Sequence, residues 1–392
     1  MTEAVLVDIV RTPSGKGKSG GQLSAVHPVD LLAGTIQDLL SRSGIDPILI
    51  EDVIVGALSQ SGKQSINIAR NAVLAARLPE TIPGTTVDRQ CGSSLQAAQF
   101  AVNGVRSGFY DVVLAGGVEM MSNNPINYAF MGEDPWGTGI RERYEGGLIG
   151  QGISAELVSA RYGYDRRALD EFALASHQRA AAANESGIFA SEISPVTLST
   201  GRVLLDETIR PQTTIESLGR LPSVFRTDQA AERFPEAGWV ITPGNSSPLT
   251  DGASIALIMS ANRAAELGLR PRARFVAGAV VGSDPIEMLT GVIPASEKVL
   301  ERSGLTIDDL DAYEINEAFA PVPMLWRDKL HADPEKLNPY GGAIALGHAL
   351  GSSGTRLLAT LLNRLERTGG RYGLEAICEG QGMANAMVIE RL

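Results

Sequence analysis

Leu40-Ser41-Arg42-Ser43-Gly44-Ile45 returns 260 positions later as Leu300-Glu301-Arg302-Ser303-Gly304-Leu305. Each copy closes a helical pattern at a glycine, the residue that turns left-handed at a helix end without a Cβ penalty. Each then passes through a short acidic linker into an apolar run, Val53–Val55 in one case and Tyr313–Ile315 in the other. One match of six could arise by chance. Two copies in the same helix–loop–strand setting read instead as two similar halves of one chain.

Working outward, apolar and β-branched runs predict buried strands at Ala4–Val10, Asp52–Gly56, Val112–Ala115, Ser254–Met259, Arg274–Val281 and Ala312–Ile315. Helical periodicity predicts helices at Pro28–Ser41, Ser94–Val105, Pro294–Ser303 and Thr355–Arg367; in the last, Leu357, Leu358, Leu361, Leu362 and Leu365 form a broad apolar face. Strand–helix alternation predicts an α/β protein with a largely parallel sheet. Residues 121–244 differ, with Asn123-Asn124-Pro125, Gly137-Thr138-Gly139, Gly146-Gly147 and one long helix, Arg166–Glu185. The expected organisation is a first half from residues 1–120 and 245–270, a loop-rich insertion at 121–244 that grips substrate, and a second half at 271–392.

Composition narrows the function. The 392 residues carry a net charge of −11 and no basic stripe, which argues against a nucleic-acid partner. No apolar run approaches the roughly 18 residues of a membrane span. The N-terminus lacks the pattern of a signal peptide, and Glu390-Arg391-Leu392 is not a peroxisomal address, so a cytoplasmic location is expected. With only Cys91 and Cys378, a disulfide scaffold is excluded, and the four histidines show no metal-ligand spacing. No metal is expected. The 43 glycines point to many tight turns and close backbone approaches.

Three glycine-rich segments could carry chemistry. Cys91, in Val87-Asp-Arg-Gln-Cys-Gly-Ser-Ser-Leu95, stands just before a helix, whose positive end would favour thiolate. On these residues alone a buried structural thiol fits as well. His348 ends Asn338-Pro-Tyr-Gly-Gly-Ala-Ile-Ala-Leu-Gly-His348 and could deprotonate a thiol or hydrogen-bond a thioester oxygen; a loop histidine with no such role is equally open. Cys378, in Ala376-Ile-Cys-Glu-Gly-Gln-Gly-Met383, could shuttle a proton at a substrate carbon or be a strand-end thiol. Asn316, in Glu314-Ile-Asn-Glu-Ala-Phe-Ala320, could hold a water or simply form a turn.

Taken together the segments resemble the thiolase family. Its Cys-Gly-Ser nucleophile motif stands at Cys91, its Asn-Glu-Ala-Phe block at Asn316–Phe319, its Gly-Gly-Ala-Ile-Ala-Leu-Gly-His block at Gly341–His348 and its Cys-x-Gly-x-Gly block at Cys378–Gly382. The blocks keep the family's order, and the similarity runs along the whole chain. The resemblance implies a five-layered αβαβα fold of two halves with an inserted loop domain. It implies that Cys91 takes the acyl group, His348 activates it and Cys378 is the acid/base at the α-carbon. His348 and a water on Asn316 would stabilise the enolate oxygen, and the N–H groups of Cys91 and Gly380 would form a second oxyanion hole. Ser247 matches a position that contacts pantetheine, and Met288 one that lines the acyl pocket. Coenzyme A is implied as co-substrate with no permanently bound cofactor, and a homodimer or homotetramer as the assembly.

Departures from the family pattern refine this. Ala349 replaces a common proline after the histidine, and Glu379 and Gln381 add polarity to the final turn. Gly150-Gln151 stands where small-acyl thiolases place His-Met, which points to a degradative enzyme for substrates larger than acetoacetyl-CoA, with Gln151 facing the substrate. An arginine near the CoA adenine aligns with Leu221, leaving Arg220 one position early as the candidate contact. The alternatives are an acetoacetyl-CoA-forming thiolase, a condensing enzyme of the ketoacyl-synthase kind, which the second cysteine opposes, and a non-catalytic CoA or lipid carrier, which would be expected to lose the nucleophile or the base.

Overall fold

The computed structural model describes residues 2–392. All six predicted strands form and three more join them on the main path, with a two-residue strand, Gly15–Lys16, pairing beside it: β1 (Ala4–Arg11), β2 (Asp52–Gly56), β3 (Thr85–Val87), β4 (Val112–Met120), β5 (Thr250–Ser260), β6 (Ala273–Gly282), β7 (Ala312–Ile315), β8 (Tyr372–Glu379) and β9 (Met383–Arg391). They follow one hydrogen-bonded path, β7-β8-β9-β6-β1-β5-β4-β2-β3. The two halves meet at a short β1–β6 pairing, Val5 with Arg274 and Leu6 with Ala273. Outward from it, β1-β5-β4-β2 on one side mirrors β6-β9-β8-β7 on the other.

The 260-residue offset of the repeat extends well beyond its six residues. Helices end at Ser43 and Ser303, strands begin at Asp52 and Ala312, helices begin at Ser93 and Ser353, and strands begin at Val112 and Tyr372. Each pair is 260 apart. The two halves are therefore one structural unit used twice.

The sheet is mixed, which corrects the expectation of a largely parallel one. The β2–β3, β2–β4 and β7–β8 pairs are parallel. The last strand of each half returns antiparallel: β5 lies between β4 and β1, and β9 between β8 and β6. A tight turn at Gly380–Gly382 forces the second return, since strands joined by so short a loop can only pair antiparallel.

Three apolar cores separate the layers. One lies between the first-half strands and helix Pro28–Ser43, and another between the second-half strands and helices Val292–Ser303 and Pro321–Leu330. The third joins residues from both half-sheets through helices Ser93–Ser107 and Ser353–Thr368. In the latter, Leu357, Leu358, Leu361, Leu362 and Leu365 are all fully buried, as the leucine pattern predicts. This gives helix, sheet, paired helices, sheet and helix in order.

Between β4 and β5 the chain forms helix Arg166–Glu185 as predicted, and also a 12-residue helix, Gln151–Tyr162, where only loop was expected. Its buried face includes Gly152, Ser154, Glu156 and Ser159, so no apolar stripe marks it in the sequence. The Glu156 carboxylate accepts from the N–H groups of Val240 at 2.7 Å and Ile241 at 2.9 Å, which fixes the helix against the chain leading to Ser247. Buried Arg11 ties β1 to the same insertion, with ion pairs of 2.7 Å to both Glu192 and Asp206.

Candidate active site

Cys91 sits in a tight loop, preceded by Gln90 at φ 49° and followed by Gly92, which caps helix Ser93–Ser107. The cysteine is 2% exposed. Its Sγ accepts from Gln151 Nε2 at 3.8 Å, so Gln151 reaches the Cys91 thiol from the inserted helix. Burial pushes the Cys91 thiol up to about 12; the Gln151 amide pulls it down, while Glu379 and Glu119 push it further up. The expectation of a resting thiolate is thus corrected. Desolvation by burial is the largest cause, and the thiol is neutral at ordinary pH.

The His348 ring is held with its tautomer decided. His348 Nδ1 lies 2.6 Å from Ser353 Oγ. That hydroxyl already donates to Ala349 O at 2.8 Å, so it accepts from an Nδ1–H. Nε2 is left as the acceptor, and Asn316 Nδ2 donates to it at 3.4 Å. Burial, with Arg356 nearby, lowers the His348 pKa to about 3, so the ring is neutral. The preceding Gly347 is required: at φ +85° its Cβ would lie 2.6 Å from Thr250 Oγ1, the atom that accepts the His348 N–H at 2.9 Å.

The Cys91 and His348 loops are brought together where the helices that follow them begin. Thr355 N donates to Ser94 Oγ at 3.0 Å, and a Cβ on Gly354 would lie 2.4 Å from Leu95 N. No hydrogen bond joins Cys91 to His348 among the described residues, and such contacts tighten when substrate arrives.

Asn316 and Cys378 come from neighbouring strands of the second half, with Asn316 N donating to Ala376 O at 3.0 Å. Both side chains are fully buried, and Asn316 Oδ1 has no partner. Burial, then Cys91, then Glu379 raise the Cys378 thiol well above its ordinary range. Glu317 joins two of the motifs: it accepts from Asn338 Nδ2 at 2.9 Å, Ser176 Oγ at 2.7 Å and Ile344 N at 3.1 Å. The Asn-Glu-Ala-Phe block and the glycine loop leading to His348 are thereby fixed to one another.

The other predicted residues are placed as follows. Gly380 begins the turn after β8 and is partly exposed. Ser247 is partly exposed, its N–H bonded to Ala318 O at 3.0 Å beside the Asn316 block. Met288 is 2% exposed and shares a core cluster with Cys378. Arg220 is exposed at the end of helix Ile215–Gly219, one position before Leu221, which packs at Gly244 in the Ser247 loop. The sequence did not single out Ser353, Thr250 or Asn385. Only the Ser352-Ser353 pair close after His348 offered a signal, as hydroxyls within reach of an imidazole.

Cys91 from the first half and His348, Asn316 and Cys378 from the second thus bring two thiols, a neutral imidazole and a buried amide to one region, groups chemically suited to acyl transfer. Residues 4–262 match the thiolase N-terminal domain and residues 269–391 the thiolase C-terminal domain, and the chain belongs to the thiolase family. It is 44% identical over 400 residues to a steroid 3-ketoacyl-CoA thiolase of Mycobacterium tuberculosis, covering 100% of this chain and 95% of that protein. It is 42% identical over 404 residues to a 3-ketoacyl-CoA thiolase of Erwinia tasmaniensis, with 100% of both covered. The crystal structure of the Bacillus anthracis acetyl-CoA acetyltransferase superposes with a TM-score of 0.88 at 36% identity, covering 100% and 99% of the two chains. The protein is an enzyme, an acyltransferase with the thiolase fold.

Among the described residues no helix is long and apolar enough to cross a membrane, and no three His, Cys, Asp or Glu side chains group as metal ligands.

Proposed function

We propose that the chain cleaves 3-ketoacyl-CoA larger than acetoacetyl-CoA with free coenzyme A, releasing acetyl-CoA and a shortened acyl-CoA. The observation that carries this reading is the fixed His348 tautomer, with Nε2 left as an acceptor that only a long 3.4 Å contact from Asn316 Nδ2 occupies. Nε2 takes the Cys91 proton as Sγ attacks the 3-keto carbon. The new N–H then faces the enolate oxygen that develops as the C2–C3 bond breaks, together with a water on Asn316. Cys378 protonates the acetyl-CoA carbanion. The 3-keto oxygen is held meanwhile by the N–H groups of Cys91 and Gly380. Coenzyme A then attacks the Cys91 thioester, its thiol proton passing to the Cys378 thiolate, while His348 returns its proton to the Cys91 sulfur as the shortened acyl-CoA leaves.

Ser247 and Arg220 are assigned to CoA and Met288 to the acyl pocket, while Gln151 touches both Cys91 and substrate. No resident cofactor is needed. A cytoplasmic homodimer or homotetramer completes the reading, with residues 121–244 as the substrate-gripping domain. A larger acyl group is supported by Gly150, where an added Cβ meets no atom within 4 Å, and by the mycobacterial relative named for steroid substrates. Thiolysis of 3-ketoacyl-CoAs of graded size tests the proposal. Catalytic efficiency should rise from acetoacetyl-CoA to longer or ring-bearing substrates; a preference for acetoacetyl-CoA would refute the size assignment.

A further inference from the structure

Glu119 and Glu379 occupy equivalent positions in the two halves, 260 residues apart, and both are fully buried. Their surroundings are opposite. Glu119 accepts from Leu58 N at 2.9 Å, Ser59 N at 3.2 Å, Gln64 Nε2 at 2.7 Å and Gly351 N at 3.0 Å. Neither oxygen of Glu379 has a partner among the described residues. A carboxylate without donors in a dry interior carries a large desolvation cost, and a neutral acid does not.

What Glu379 faces is equally specific. Its Oε1 and the Oδ1 of Asn385 lie 2.0 and 2.6 Å from the point where a Cβ on Gly92 would sit. Asn385 Oδ1 is itself buried and unpartnered, while Asn385 Nδ2 donates to Gly92 O at 3.2 Å. Two acceptors side by side, each lacking a donor, are both satisfied by one proton.

We propose that Glu379 is a positioning residue that works as the neutral acid, donating its proton to Asn385 Oδ1 and so locking the amide whose other end holds Gly92. This contact seats the first turn of the helix behind Cys91, and only a glycine at 92 leaves room for it. The charged and titratable groups around Glu379 are Arg89 and Asp88 from the loop before the nucleophile, Cys91 itself, and Cys378 on the same strand; β9 contributes only uncharged side chains there. Burial raises the Glu379 pKa to about 9, with Arg89 opposing and Asp88 reinforcing the shift. Below that pH the lock is made. Above it the donor is lost, and a negative charge appears beside two thiols that must themselves ionise.

The inference rests on Cys91 being the nucleophile, so its test includes a readout independent of turnover. The folded chain keeps a proton that an unfolded glutamic acid releases near pH 4.3, so its stability falls as pH rises from about 4.3 to 9. In the full-length enzyme, Glu379→Ala is expected to slow acylation of Cys91 by acetyl-CoA about tenfold, the loss of one buried hydrogen bond, and Glu379→Gln to restore most of it. Between pH 5 and 9, Glu379→Gln should show a melting temperature that declines less steeply with pH than wild type. Full activity in Glu379→Ala, failure of Glu379→Gln to rescue, or an unchanged pH slope in Glu379→Gln would each overturn the proposal. If Glu379→Ala does not fold, the Gln variant's rate and slope still decide it.

Discussion

Ser353 Oγ lies 2.6 Å from His348 Nδ1 and donates its own proton to Ala349 O, which leaves it only an acceptor toward the ring. In the proposed mechanism, proton transfer through Nε2 depends on that one hydroxyl. Ser353 sits at the first position of helix Ser353–Thr368, so the ring orientation is set by a secondary-structure element and not by a mobile loop.

Ser353→Ala removes the acceptor and leaves both tautomers available. The expected result is a fall in kcat of about tenfold or more with little change in KM, since one buried hydrogen bond to a reacting group is lost. Ser353→Thr should recover most of the loss. Steady-state thiolysis kinetics of the three proteins check this.

Acid should destabilise the fold through its buried histidines. Burial, then Arg356, lowers the His348 pKa to about 3; burial, then Arg210, lowers that of His177 to about 4. Both values lie below the unfolded value near 6.5, so the unfolded chain binds protons first. Their contribution is fully present above about pH 6.5 and is lost as pH falls toward 3. At pH 4.5 each group costs about 1–3 kcal/mol. His348→Gln should therefore narrow the gap between urea midpoints measured at pH 7 and pH 4.5.

Much of this was visible in the chain itself, and the exceptions have physical reasons. The six strands with continuous β-branched runs were legible, as was the two-half organisation. β8 and β9 were not, although they carry Cys378 and Asn385, because buried Glu375, Glu379 and Asn385 interrupt their apolar pattern. β3 is only three residues long. The site motifs were legible as residue types. Their electrostatics were not: the helix end beside Cys91 suggested a lowered thiol pKa, whereas burial, a tertiary property, raises it to about 12. Ser353 and the Gln151 contact likewise depend on packing between segments far apart in sequence.

Gly150→His tests the size assignment at a position open enough to accept it. Gly150 caps helix Gln151–Tyr162 at φ −74°, and an added Cβ meets nothing within 4 Å, so the fold should survive. Each methylene buried by wild type contributes up to about 0.8 kcal/mol, roughly fourfold in binding. The variant should lose efficiency on long substrates while keeping that on acetoacetyl-CoA. An equal loss at all chain lengths would place residue 150 outside the acyl pocket.

In the proposed mechanism the two thiols divide the work: Cys91 carries the acyl group and Cys378 moves the α-proton. Its most direct test is peptide mass spectrometry after incubating wild type, Cys91→Ser and Cys378→Ala with acetyl-CoA, alongside a thiolysis assay of each. One acetyl mass is expected on the Cys91 peptide in wild type and in Cys378→Ala, none on the Cys378 peptide, and thiolysis in wild type alone. Acetylation confined to Cys378, or near-normal thiolysis by either variant, would contradict it.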